Sequence, residues 1–157
     1  MTIAEGTKFP EFSLLNQDNE PVSLSDFPGW WTVLYVYPKD DTPGCTIQGK
    51  AFTASKQDFD NANIKVLGLS ADDVDSHRSF CDKFAFTIDL LADPNLELLT
   101  ALGIEQTEHN GAKYWKRTSF VIDPEGTVRK VYQSVVPTGH EQVLLEDIKK
   151  LQQEVAA

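Results

Sequence analysis

From Trp30 to Tyr37 the chain reads Trp-Trp-Thr-Val-Leu-Tyr-Val-Tyr, with no charge and with many β-branched and aromatic side chains. A strand with one face in water alternates polar and apolar residues, whereas a run without alternation is buried on both faces. Such a strand can persist only inside a sheet that is covered on both sides, and Pro38 closes it. This segment therefore limits the architecture more than any other.

The rest of the chain supplies the cover. Ile64 to Ser70 (Ile-Lys-Val-Leu-Gly-Leu-Ser) is a second short buried strand, and Leu90-Leu91-Ala92 a third. Residues 45–60 read as a helix, with Phe52 and Phe59 on one face. Asp72 or Asp73 can cap a further helix whose stripe carries Val74, His77, Cys81 and Phe84. A short helix from Asn95 to Leu102 is stopped by Gly103. Residues 9–24 suggest a hairpin around Asn16-Gln17-Asp18-Asn19, and residues 104–116 look polar and irregular. Thr118–Ile122 and Thr127–Tyr132 flank Asp123-Pro124-Glu125-Gly126, an antiparallel turn signal. A last helix from about His140 presents Leu144, Ile148, Leu151 and Val155 at helical spacing. The expected fold is α/β: a mixed central sheet flanked by helices, with an N-terminal β-hairpin.

A chain of 157 residues can build one domain spanning 1–157, and at this size roughly 70% of the unfolded surface can be buried. Stability then needs neither a disulfide nor a structural metal. Asp and Glu outnumber Lys and Arg by 24 to 14, a formal charge of −10. That field repels phosphate backbones and anionic lipid, so no nucleic-acid or membrane partner is expected. No basic start followed by an apolar run marks a signal peptide, and no stretch approaches the roughly 20 apolar residues of a membrane span. Two cysteines without an export signal point to a reducing compartment, the cytoplasm.

The chemistry is concentrated in Tyr37-Pro38-Lys39-Asp40-Asp41-Thr42-Pro43-Gly44-Cys45-Thr46. Cys45 falls in the first turn of a helix, just beyond a buried strand. Backbone N–H groups there lack intrahelical partners, and the helix dipole favours negative charge. A thiol of ordinary pKa near 8.5 is only about 3% ionised at pH 7, and one near 6 is roughly 90% ionised. The location therefore suits a nucleophilic thiolate. Thr42 can bring a hydroxyl beside the sulfur, able to donate and accept while an O–O bond breaks. Pro38 can shield the sulfur from bulk water. Alternatively, Pro38 is only a strand terminator, Thr42 a turn residue and Cys45 a small core hydrophobe.

Pro38, Thr42 and Cys45 match a Pro-x-x-x-Thr-x-x-Cys signature, and in it the chain resembles the peroxiredoxins, specifically the bacterioferritin comigratory protein or peroxiredoxin Q group. The likeness continues through Phe9-Pro10-Phe12, Val33-Leu34-Tyr35, Gly68 to Asp72 and Arg117 to Asp123. The resemblance implies a thioredoxin-like fold, a thiol-dependent peroxidase acting on hydrogen peroxide and organic hydroperoxides, no cofactor and a monomer. It also implies that Arg117 belongs to the active site, where a permanently charged guanidinium with several donors can hold a thiolate and polarise a peroxide. Without the resemblance, Arg117 would read as a surface ion pair, as Lys113 and Lys116 read as solvated charges.

Attack on a peroxide would leave Cys45 as a sulfenic acid, which condenses with a thiol. Many members of the group carry that thiol five residues on. Lys50 stands there in this chain, which leaves Cys81, 36 positions after Cys45 (81 − 45), as the internal candidate. The resemblance to a subset of the group implies a Cys45–Cys81 disulfide, reopened by thioredoxin or a similar dithiol. The alternative is that Cys81 is simply a core-facing residue. Bridged Cα atoms lie within about 7 Å, so both helix ends should partly unravel on oxidation. Closing the loop restricts the unfolded chain by roughly 4 kcal/mol, which local rearrangement can consume.

Two rivals share these residues. A thioredoxin-type oxidoreductase needs Cys-x-x-Cys, and Gln48 stands at the second position. A non-catalytic redox sensor would differ only in turnover. A metal site is not expected, because His77, His109 and His140 are scattered. Trp30, Trp31 and Trp115 read first as packing, with a lining for organic hydroperoxides as the alternative.

Overall fold

The computed structural model describes residues 2–109 and 111–156. In chain order it contains β1 (Leu14–Leu15), β2 (Pro21–Val22), a short 3-10 turn, β3 (Trp31–Val36), α1 (Pro43–Ala54), α2 (Lys56–Asn61) and β4 (Ile64–Ser70). There follow α3 (Val74–Phe84), β5 (Asp89–Ala92), α4 (Glu97–Leu102), β6 (Gln106–His109) and β7 (Ala112–Trp115). β8 (Thr118–Ile122), β9 (Val128–Tyr132) and α5 (His140–Ala156) complete it.

β3 lies at the centre of a five-stranded sheet ordered β5-β4-β3-β8-β9, and every one of its residues is buried. It pairs in parallel with β4, Val33 opposite Val66, and antiparallel with β8, Val33 opposite Val121. The sheet is therefore mixed, with parallel strands on one side and a hairpin on the other. Val33, Tyr35 and Tyr37 point into an apolar layer shared with Phe52, Phe59, Phe80, Leu144 and Ile148 from the flanking helices. Leu34 and Val36 point the other way, toward Leu98, Leu99, Leu102 and Phe9. Two-sided burial is what the uncharged run demanded. Truncating a side chain such as Leu34 to alanine would cost about 2–5 kcal/mol.

Several local expectations need correcting. The helix expected over 45–60 begins earlier, with Pro43 as its first residue, and breaks at Ser55 (φ −95°, ψ 4°) into α1 and α2. Serine competes for backbone hydrogen bonds, so it is a weak place in a helix. Asp73 rather than Asp72 caps α3, its carboxylate accepting from the Ser76 N–H at 2.9 Å. The buried stripe of α3 is His77, Phe80 and Cys81. α4 starts at Glu97, because Leu96 is left-handed (φ 58°) and the Asp93 carboxylate takes the N–H groups of Glu97 and Leu99. Residues 104–116 are not irregular: β6 and β7 form an antiparallel hairpin, Gln106 opposite Trp115 and Glu108 opposite Lys113. Val155 is 64% exposed and takes no part in the core. The N-terminal hairpin is present, Leu14 opposite Val22. Among the described residues no helix is long and apolar enough to cross a membrane.

Candidate active site

The Tyr37 N–H reaches Leu69 O at 3.0 Å and ends the β3–β4 ladder. The loop 38–42 then carries the chain to α1. Thr42 is extended (φ −107°, ψ 156°), Pro43 is the first helical residue and Cys45 the third. Proline suits that position because its missing N–H would be unpaired anyway. The first helical bond runs from Thr46 N–H to Thr42 O at 2.9 Å, so the N–H groups of Gly44 and Cys45 have no acceptor within the helix. The sulfur thus stands at the positive end of the helix dipole.

Arg117, in the short link between β7 and β8, reaches over this helix start. Its Nη1 donates to Cys45 Sγ at 3.3 Å and to Gln48 Oε1 at 2.8 Å. Its backbone carbonyl accepts from Val135 N–H at 3.0 Å, which fixes the root of the side chain. Gly44 makes the approach possible: a Cβ there would lie 2.3 Å from Nη2 and 2.9 Å from Cζ of Arg117. The glycine before the cysteine is therefore a seat for the guanidinium. Gln48, one turn past Cys45 and 1% exposed, breaks a Cys-x-x-Cys pair in the sequence, and nothing local marks it as a partner of Arg117. Its Nε2 is the one buried side-chain polar atom without a partner among the described residues.

The Thr42 hydroxyl donates to Lys39 O at 2.8 Å and makes no cap bond to the helix. With its proton committed, its lone pairs remain as an acceptor at the mouth of α1. Pro38 is half-buried in the loop. Lys116 is not an isolated charge, since it pairs with Glu105 at 3.1 Å, while Lys113 is exposed.

Cys81 is elsewhere, on α3. Both cysteines are free, buried and members of one apolar cluster. Tyr35, fully buried and stacked on Phe52 at 4.6 Å, is close enough to be influenced by both sulfurs, although burial is the main cause of its raised pKa. Between α1 and the end of α3 stands Phe86. A Cβ on Gly49 of α1 would fall 2.3 Å from that ring, which meets Phe80 edge-on at 4.9 Å and stacks on Phe84 at 5.7 Å. Burial pushes the Cys81 thiol up to about 12, Arg78 opposing and Asp40, Asp82 and Asp89 adding to the shift.

His77 is not an idle helix-face residue. Its Nδ1 meets Asp40 Oδ2 at 2.7 Å and its Nε2 meets Leu91 O at 2.8 Å. Asp40 also accepts from the Tyr37 hydroxyl at 2.7 Å and the Ser76 hydroxyl at 2.8 Å. The Asp40 N–H donates to Asp72 Oδ2 at 2.9 Å. His140 is engaged with Ser119 Oγ at 2.9 Å. Among the described residues no group of three or more metal-ligating side chains converges. Trp31 is core at the start of β3, the end remote from the loop, with Arg129 over its ring at 5.6 Å. Trp115 packs on the opposite layer. Those positions remove Trp31 from any substrate approach to Cys45.

Residues 6–131 match the AhpC/TSA family. The chain is 37% identical to a putative peroxiredoxin bcp of Coxiella burnetii over 143 residues, 89% of this chain and 95% of the relative. It is 39% identical to the chloroplastic peroxiredoxin Q of Suaeda salsa over 132 residues, 84% of this chain and 61% of that one. A cysteine-to-serine mutant of Xylella fastidiosa PrxQ superposes with a TM-score of 0.91 at 30% identity, over 97% of this chain and 99% of that one. Xanthomonas campestris bacterioferritin comigratory protein, solved as trapped intermediate and ligand complexes bearing on its alkyl peroxide reduction, gives 0.84 at 32% identity, over 96% and 98%.

Proposed function

The chain belongs to the AhpC/TSA family as a peroxiredoxin of the Bcp and Q type, a thiol peroxidase of thioredoxin-like fold, and from that premise we propose that Cys45 is its peroxidatic residue. The observation that carries the assignment is the Arg117 guanidinium seated on Gly44, with Nη1 3.3 Å from Cys45 Sγ. A guanidinium and a helix N-terminus both favour the anionic sulfur.

The thiolate attacks the nearer oxygen of a hydroperoxide. The O–O bond breaks, ROH departs after taking a proton, and Cys45 becomes a sulfenic acid. Arg117 stabilises the charge that builds on sulfur and on the leaving oxygen, the kind of preorganised donor that contributes most to catalysis. Thr42 Oγ, its proton given to Lys39 O, accepts from the peroxide O–H and orients it. Pro38 limits water at the sulfur. Hydrogen peroxide and organic hydroperoxides are both substrates.

Cys81 then resolves the sulfenic acid. Its thiol proton leaves with the sulfenic hydroxyl as water while the S–S bond forms. Because Phe86 fills the space beside α1 and Cys81 is buried, the bridge requires the Cys81 end of α3 to leave its seat. Thioredoxin or a similar dithiol restores both thiols. The chain acts as one domain over 1–157, as a monomer, in the reducing cytoplasm.

The test is thioredoxin-coupled peroxide consumption, with mass spectrometry of the oxidised protein. The wild type should cycle and carry one Cys45–Cys81 bridge. Steady turnover by Cys45→Ser, or an oxidised wild type without that bridge, would refute the assignment.

A further inference from the structure

The loop that delivers Cys45 and the helix that holds Cys81 are joined by side chains the peroxide chemistry does not use. Asp40, from the loop, meets Ser76 and His77 in the first turn of α3, at 2.8 and 2.7 Å. Next to it Asp41, left-handed at φ 58°, pairs with Lys83 near the other end of α3 at 2.8 Å. The two ties differ in kind. The Lys83 pair is exposed, so solvent screens it and it contributes little. The Asp40–His77 contact has side chains 4% and 0% exposed. It is closed on every side, since the second His77 nitrogen is anchored to Leu91 O of β5 and the second Asp40 oxygen to Tyr37. A buried carboxylate so completely partnered is costly to uncouple.

His77 lies one turn before Cys81 (81 − 77 = 4), on the same buried face of α3. Beyond Cys81 the helix ends at Ala85, left-handed at φ 55°, and the chain is held there mainly by Phe84 and Phe86. One end of α3 is thus tied to the sheet and to the Cys45 loop by buried polar bonds, and the other rests on aromatic packing and the exposed Lys83–Asp41 pair.

Building on the assignment of Cys45 and Cys81 above, we propose that Asp40 and His77 are positioning residues for the resolving step. Their contact holds the first turn of α3 in place, confines the rearrangement to the segment from about Arg78 to Phe86, and so sets how quickly Cys81 can leave the core. Two reactions compete for the sulfenic acid. In one, Cys45–SOH and Cys81–SH give the disulfide and water. In the other, Cys45–SOH and a second ROOH give Cys45–SO2H and ROH, the O–O bond breaking as sulfur gains an oxygen. A tighter hold slows the first and favours the second.

The experiment measures disulfide closure by stopped flow, and the sulfinic fraction by mass spectrometry across a peroxide series, for wild type, His77→Gln, Asp40→Asn and the double variant. We expect closure about tenfold faster in each single variant and a correspondingly smaller sulfinic fraction. The first peroxide reaction, followed in Cys81→Ser with and without His77→Gln, should stay within about threefold. The double variant should close no faster than either single one, because both substitutions break one contact. Unchanged partition in variants that still form the bridge overturns the inference alone; absence of the bridge in wild type overturns the assignment beneath it. Hydrogen exchange on wild-type protein tests the same idea without substitution. On oxidation, amides 79–86 should lose protection while 76 and 77, bonded to Asp73, keep theirs, and equal loss in both segments would sink the proposal.

Discussion

Cys45 and Cys81 are equally hidden, each 2% exposed, yet their surroundings have opposite characters. Cys45 sits where a helix begins, with unpaired N–H groups and a guanidinium 3.3 Å away. Cys81 sits in the last turn of α3 beside Phe80, and burial, only partly opposed by Arg78, pushes its thiol up to about 12. Burial therefore does not decide the reactivity of a cysteine. What matters is whether the groups that replace water can stabilise charge. In the proposed cycle one sulfur is ready to attack, and the other stays inert until the fold around it opens.

Serine substitutions break the comparison most severely. Cys45→Ser should abolish peroxide reduction, at least a thousandfold loss in coupled turnover. Cys81→Ser should consume one equivalent of peroxide and then stop, losing thioredoxin-dependent cycling only. Full cycling by Cys81→Ser would place resolution on another group. Next comes Arg117→Ala, which removes the charged donor from Sγ and should slow the peroxide reaction about a hundredfold; a change under fivefold would mean that the helix start suffices.

A third measurement compares the native thiols directly. At pH 7 a thiol with a pKa near 12 is ionised only to about one part in 10⁵. Iodoacetamide should therefore modify Cys45 at least tenfold faster than Cys81, read by peptide mapping of the reduced protein. Equal labelling would erase the contrast.

The smallest effect lies outside both cysteines. His140 is buried against Ser119, and burial lowers its pKa from 6.5 to about 4. The folded state thus prefers the neutral ring, and the unfolded chain binds the extra proton as pH falls below 6.5. Stability should drop by about 2–3 kcal/mol between pH 6.5 and 4 from this group, then level off below 4. Denaturant melts of wild type and His140→Gln should differ in slope across that window. Identical pH dependence would show that the ring is solvated.

The parts of the molecule legible in the sequence were those whose signal is local. β3 and β4 announce two-sided burial in their own composition, whereas the start of α1 lies two residues before the expected 45, at Pro43. The β6–β7 hairpin escaped notice because it pairs polar residues such as Glu108 with Lys113 and so shows no apolar alternation. Arg117 was placed by resemblance, since nothing near it in sequence says what its guanidinium reaches across 72 positions. Gly44 was the overlooked clue, a residue kept small by what must lie on it. The Asp40–His77 contact, 37 positions apart, could not be read from either segment, because a buried histidine and a buried apolar residue look alike in a helical stripe.

The two glycines of α1 have an effect beyond making room. Glycine in a helix interior costs about 1 kcal/mol relative to alanine, and α1 carries Gly49 in its interior besides Gly44 in its first turn. Left to itself, this segment would be a poor helix. Much of its order is lent by visitors, the guanidinium of Arg117 in one notch and the ring of Phe86 in the other. When either guest withdraws, the winding has little of its own to keep it. In the proposed cycle the element that presents Cys45 can therefore come undone on cue, and a sturdier version would trade repeated turnover for a single shot.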